Sequence, residues 1–255
     1  MFRGKLIASG SNAKTVKGDG TEFETAIMYL APADLATTVT LCPMADLAAC
    51  KSACLFKAGR GVMSPVEASR VRKSQWFERD RDGFMAALVD DLARFERYCV
   101  RKGVKPVVRL NGTSDIPFER IGVDYQGQAF GNVFAAFPRV QFYDYTKTAK
   151  RVLRELPANY SLVLSWSGAS ERYWELVTDV MIAAPSVNVA VVFRDKATVE
   201  RAKRDGFMGR PVVDGDESDL RFLDDRSVIV ALMPRDPPSG TGRGLSLISG
   251  KHDHA

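Results

Sequence analysis

Histidine is almost missing from this sequence. Only two occur in 255 residues, His252 and His254, both within the last four positions. The body of the chain ahead of them has no imidazole. That excludes Ser-His-Asp triads, His-x-Glu deaminase sites, His-Glu-x-x-His zinc sites and His-dependent nucleases there. Its chemistry must come from Cys, carboxylates, Lys, Arg, Tyr, amides or a bound cofactor. Long apolar runs are lacking too. No stretch approaches the roughly 20 residues that cross a bilayer, and the opening Met-Phe-Arg-Gly-Lys-Leu-Ile-Ala-Ser-Gly lacks the apolar core of a signal peptide. A cytoplasmic protein is expected, its four cysteines being thiols or metal ligands rather than disulfides. Nor is there a strong charge bias: 36 basic against 31 acidic residues leave +5, which permits contact with nucleic acid without requiring it.

What is present describes a folded α/β protein. Apolar residues make up 45% and charged residues 26%, and the length suffices for one large domain or two small ones. Apolar, β-rich runs recur at 26–31, 106–110, 139–143, 161–165, 187–193, 211–213 and 228–232, with a short edge candidate at 6–9. Helical patterns lie between them. Ser64-Pro65 opens one that runs on through 66–74. Residues 81–101 place Phe84, Leu88, Leu92, Phe95 and Cys99 on one face, with Gly103 as the stop. Residues 146–156, 170–181 and 196–205 complete the alternation. Apolar strands alternating with helices predict a parallel sheet, read here as a complete or partial (β/α) barrel of about 6–8 strands, with a doubly wound open sheet as the alternative. A single domain over 1–236 and a flexible tail over 237–255 are expected.

In such folds the active site gathers at the carboxyl ends of the strands. Short polar residues crowd the segments following those runs. Asn111, Ser114, Asp115, Asp144, Lys147, Ser167, Asp214 and Asp216 are the candidates for a substrate-binding pocket. Turn and cap chemistry explains any one such loop, but the same enrichment on successive loops points to a shared site. Two phosphate-binding look-alikes fail: Gly240-x-Gly242-x-Gly244 has the wrong spacing and follows no strand, and Gly250-Lys251 precedes His rather than Ser or Thr.

Three of the four cysteines, Cys42, Cys50 and Cys54, fall within 13 residues as C-x7-C-x3-C, in the segment after the run at 26–31. Four-residue spacing puts Cys50 and Cys54 one helical turn apart. Three thiolates without histidine suit a [4Fe–4S] cluster with one iron left open. Zinc, which closes with four ligands, is the alternative, because Cys99 lies on an apolar stripe. Lys51, Lys57 and Arg60 would offset the cluster's negative charge.

Several blocks carry a resemblance. Leu-Cys-Pro-Met-Ala at 41–45, Val-Arg-Leu-Asn-Gly-Thr-Ser-Asp-Ile at 108–116, Val-Gln-Phe-Tyr-Asp-Tyr-Thr-Lys at 140–147, Asn-Val-Ala-Val-Val-Phe at 188–193 and Asp-Gly-Asp-x-x-Asp-x-Arg-Phe at 214–222 resemble a family of tailed-phage proteins catalogued as gene product eighty-eight. The resemblance implies a phage origin and supplies no activity. The layout is also similar to radical-SAM enzymes, whose cysteines follow the first barrel strand as C-x3-C-x2-C. It implies cluster binding at Cys42, Cys50 and Cys54 and S-adenosylmethionine as a ligand, although the spacing differs and no glycine-rich signature for that ligand is present.

Three functions compete. The first is an iron–sulfur redox or radical enzyme acting on a small molecule. The second is a non-catalytic phage effector with a structural metal, binding a host protein or nucleic acid through Arg70, Arg72 and Lys73 with Trp76 and Phe77 nearby. The third is Mg²⁺-dependent phosphoryl transfer at Asp214, Asp216 and Asp219.

Overall fold

The computed structural model describes residues 4–10, 22–51, 54 and 64–234. The tail expected at 237–255, both histidines, Lys57 and Arg60 lie outside the described residues. The chain divides into two compact units. One takes in Met1–Cys42, Arg60–Asp144 and Glu155–Ser161, the other Pro43–Gly59, Tyr145–Arg154 and Leu162–Ala255.

In the first unit, in chain order, come β1 (Ile7–Ser9), β2 (Phe23–Met28), α1 (Ser64–Arg79), α2 (Arg81–Lys102), β3 (Lys105–Arg109), β4 (Val123–Tyr125), β5 (Gln128–Phe130), α3 (Val133–Ala136) and most of β6 (Gln141–Thr146). Strand order is β1-β2-β3-β6: β1 runs antiparallel to β2, while β2, β3 and β6 are parallel. Helix α2 shows how sequence becomes packing. Asp80 caps it by accepting from the Gly83 N–H at 2.9 Å, and Gly103 ends it at φ 73°, where a residue with a Cβ is strained. The stripe Phe84, Leu88, Leu92, Phe95 and Cys99 is buried along its whole length. Phe84 meets Phe77 edge to face, and Phe77 in turn meets Phe118.

The second unit holds α4 (Ala149–Val152), most of β7 (Tyr160–Ser165), α5 (Glu171–Ala183), β8 (Val189–Val192), α6 (Lys196–Asp205), β9 (Val212–Asp214) and β10 (Ile229–Leu232). Its strand order is β7-β8-β10-β9, all parallel. Ser170 and Asp195 cap α5 and α6 by accepting from the Tyr173 and Thr198 N–H groups. Leu164, Tyr173, Val177, Val189, Val191, Phe193 and Ile229 form its core.

Eight of the ten described strands thus belong to open, mostly parallel sheet. The expected barrel does not form, and the open α/β sheet does. Strand β1 pairs only with β2 and β9 only with β10, so both are edges, and β10 enters between β8 and β9 instead of following them in sequence order. Element boundaries also differ from expectation, and two of them show why. Strand β2 begins at Phe23 rather than Ala26 because Glu24 and Thr25, polar by type, are buried, Glu24 pairing with Lys102 at 2.6 Å. The helix expected over 146–156 shrinks to four residues. Thr146 is strand, Leu153 stands exposed, and an apolar stripe with nothing to cover it past Val152 does not hold a helix. The β4–β5 hairpin, turned at Gln126 (φ 53°) and Gly127 (φ 78°), gave no strong alternating signal.

Candidate functional site

Four of the polar candidates belong to the first unit, and three of them are joined directly. Strand β3 ends at Arg109, and the chain then turns through 110–116 around the side chain of Asn111. The amide oxygen of Asn111 accepts from the Ile116 N–H at 2.8 Å and the Ser114 hydroxyl at 2.9 Å. Its Nδ2 donates to the Ile116 carbonyl at 3.0 Å. Asp144 on β6 completes the arrangement, accepting from the Asn111 backbone N–H at 2.8 Å, from Asn111 Nδ2 at 3.2 Å and from the Tyr160 hydroxyl at 3.2 Å. Arg109 lies 3.9 Å from the same carboxylate. Asn111 is 2% and Asp144 1% exposed. This network is interior, so these two residues act on the loop they hold rather than on solvent.

The loop reaches back across β2 toward the first cysteine. The Gly112 N–H donates to the Met28 carbonyl, and a Cβ at Gly112 would stand 2.6 Å from that oxygen and from the Tyr29 ring, so only glycine fits. The buried Asp115 donates its N–H to the Leu41 carbonyl at 2.8 Å. Cys42 Sγ accepts from the Ala33 N–H at 3.3 Å, and its thiol lies 3.8 Å from the Thr113 carbonyl. Ala33 and Leu41 are also joined through the backbone, so 33–42 is a closed loop. Glu78 fastens its tip, accepting from the Thr38 N–H and hydroxyl and the Val39 N–H. Those bonds, led by the Thr38 hydroxyl, hold its carboxyl below the ordinary range.

In the second unit, residues 43–49 form turns and Ala49 takes a left-handed φ of 50°. No described helix carries Cys50 or Cys54, and the expected helical turn between them runs through residues 52 and 53, which lie outside the described residues. The Cys50 thiol lies 3.7 Å from the Ala45 carbonyl and packs with Met44, Leu47 and Ala48 against the unit's core. Ser167, after β7, donates to the Ala48 carbonyl at 2.8 Å and so pins the cysteine segment. Lys147 Nζ donates to the Ser165 carbonyl and hydroxyl at 3.2 Å and the Trp166 carbonyl at 3.4 Å, above the Tyr173 ring. The Tyr173 hydroxyl donates toward the Lys147 and Ser165 carbonyls, at 3.0 and 2.9 Å. Asp214 accepts from the Asp216 N–H at 2.9 Å, and Asp216 accepts from the Met233 N–H at 2.7 Å. These are loop-fastening bonds.

The cysteines fall into two kinds. Cys42, Cys50 and Cys54 are half-buried, whereas Cys99 is fully buried in α2 and burial pushes its thiol up to about 12. Among the described residues, no group of three or more His, Cys, Asp or Glu side chains is gathered to hold a metal. Cys42, Cys50 and Cys54 all carry sulfur, the soft donor type that iron–sulfur centres take, and Cys50 does so while packed at the edge of its unit's core.

The segment read as a surface for phosphate is mostly interior. Arg70, Lys73 and Phe77 are buried, and Arg72 stays exposed. Arg70 lies over the Tyr29 ring at 4.8 Å, and Lys73 Nζ is 3.5 Å from the Leu6 carbonyl. Burial, reinforced by Arg70, lowers the Lys73 pKa to about 8. Arg109, Thr113, Tyr160 and Tyr173 join these networks without a local sequence pattern that marks them as a set. Only Arg109 leaves a trace in the sequence, as a charge inside an otherwise apolar strand.

No described helix is long and apolar enough to cross a membrane. The family model described as Gene product 88 matches residues 5–243. No curated protein and no solved structure matches the chain.

Proposed function

The chain belongs to the Gene product 88 family, and from that premise we propose that it is a bacteriophage iron–sulfur protein whose cysteines 42, 50 and 54 ligate a [4Fe–4S] cluster. One observation carries this reading: three of four cysteines cluster within 13 residues and are kept half-buried on loops, while the fourth is spent on the core. Incidental small apolar residues would be expected to sort inward as Cys99 does. The Ala33 N–H directed at Cys42 Sγ supports the same reading, because backbone donors of this kind orient sulfur ligands of metal centres. A bound cluster with one open iron supplies Lewis-acid or one-electron chemistry. The chain's own part is to hold the three sulfurs and fix the loops that carry them. S-adenosylmethionine is proposed as the ligand of the open iron on the strength of the radical-SAM resemblance alone.

The test is metal analysis of the full chain purified and reconstituted without oxygen. Iron and sulfide in near-equal amounts are expected, with broad visible absorption. Alanine at Cys42, Cys50 or Cys54 should reduce both, and Cys99→Ala should leave them unchanged. An iron-free chain after reconstitution, zinc in place of iron, or full iron loading in the triple alanine variant overturns the reading. Added S-adenosylmethionine should perturb the visible spectrum of the loaded protein, and an unchanged spectrum removes that ligand.

A further inference from the structure

We propose that the buried Asn111–Asp144 pair is a positioning device for the Cys42 thiol, setting its accessibility from two strands away. The inference rests on reading Cys42 as a metal ligand, and every residue in it belongs to the first unit.

Both the backbone leading into Cys42 and its sulfur are held by residues 113–115. The Asp115 N–H donates to the Leu41 carbonyl, and the Cys42 thiol faces the Thr113 carbonyl. These residues have no regular secondary structure to order them. Asn111 orders them instead, closing the turn with three bonds to Ser114 and Ile116. That works in one orientation of the amide only, with Oδ1 toward Ser114 and the Ile116 N–H and Nδ2 toward the Ile116 carbonyl. Asp144 agrees with it: its Oδ2 accepts from the group facing it at 3.2 Å, which is the amide nitrogen. The Tyr160 hydroxyl donates to the same carboxylate oxygen that faces the Asn111 amide, Oδ2, while Oδ1 accepts from the Asn111 backbone N–H. The chain of cause therefore runs from Tyr160 and Asp144 through Asn111 to 113–115 and on to Cys42.

A merely structural pair would, when broken, loosen every cysteine together. The experiment is site-resolved alkylation of the reduced, iron-free, full-length protein with iodoacetamide, with Cys42 and Cys50 quantified by mass spectrometry. Asn111→Ala and Asp144→Asn should raise the Cys42 rate roughly tenfold while Cys50 changes less than about twofold, since thiol reactivity follows exposure and thiolate character. Ser114→Ala, which removes a single bond to Asn111 and keeps the rest, should raise it by a smaller factor in a chain that still melts cooperatively. After reconstitution, iron affinity should fall roughly 10–100-fold in Asn111→Ala, the usual effect of losing a group that orients a ligand. An unchanged Cys42 rate in the folded Ser114→Ala and Asp144→Asn variants overturns the proposal, as does equal acceleration of Cys42 and Cys50. Iron uptake by the wild-type chain with an unchanged Cys42 rate sinks the positioning device and spares the cluster. Selective Cys42 acceleration in a chain that takes up no iron does the reverse.

Discussion

Replacing Asn111 separates the contribution of its hydrogen bonds from that of its neutrality. Asn111→Ala deletes four side-chain bonds: to Ser114, to the Ile116 N–H, to the Ile116 carbonyl and to Asp144. Each is worth about 1 kcal/mol net, and the buried partners left behind raise the cost, so a loss of about 3–5 kcal/mol is expected. That is a large share of the roughly 5–15 kcal/mol that stabilises an ordinary domain. Asn111→Asp has nearly the same shape and keeps both bonds to Oδ1. It also sets a second carboxylate about 3.2 Å from that of Asp144. Two like charges in a buried site cannot both ionise, so the pair's folded-state pKa rises above its unfolded value. The folded state then binds more protons than the unfolded one in the window between those values, and stability must increase as pH falls through it. Urea denaturation followed by circular dichroism from pH 8 to 5 checks both points. A cost under about 1 kcal/mol for Asn111→Ala, or a wild-type pH slope in Asn111→Asp, would show that Asn111 is not held by these bonds.

Two further effects are expected. Lys73, with a pKa near 8 in the folded chain against an ordinary 10.5, binds fewer protons folded than unfolded between those values. Wild-type stability should therefore gain with rising pH across that window relative to Lys73→Met, by up to about 3 kcal/mol; parallel pH–stability curves would contradict the burial assigned to this amine. Gly112→Ala forces a Cβ against the Met28 carbonyl and the Tyr29 ring. It should cost about 1–3 kcal/mol in thermal or urea unfolding, and a neutral substitution would show that the loop does not cross β2 this closely.

The sequence made the periodic elements legible where one local rule settled the matter. Helix α2 combines a five-residue apolar stripe with a Gly103 stop, and α6 lies at the expected 196–205. The apolar cores of β7, β8 and β10 were equally readable. Local rules failed where a partner decided. Glu24 reads as loop until Lys102 pairs with it, and the stripe after Thr146 reads as a helix until Leu153 finds no cover. In the site, Asn111, Ser114 and Asp144 stand out in the sequence as short polar residues after strands and do come together, bonded to one another in the interior. The basic segment at 70–73 suits either a solvated helix face or contact with phosphate by its sequence, and burial of Arg70 and Lys73 turns two of its three cations inward.

Composition alone confined the body of the chain to chemistry without imidazole, and residue spacing alone singled out cysteines 42, 50 and 54 and a succession of parallel strands. Those are properties of single residues and of short intervals along the chain. Open sheet instead of a barrel depended on which strands accept one another as neighbours. The separation of Cys99 from the other thiols depended on burial, and the inward role of Asp144 depended on donors 33 residues before it and 16 after it. Pairing and burial arise between segments distant in sequence, so only the tertiary structure could decide them.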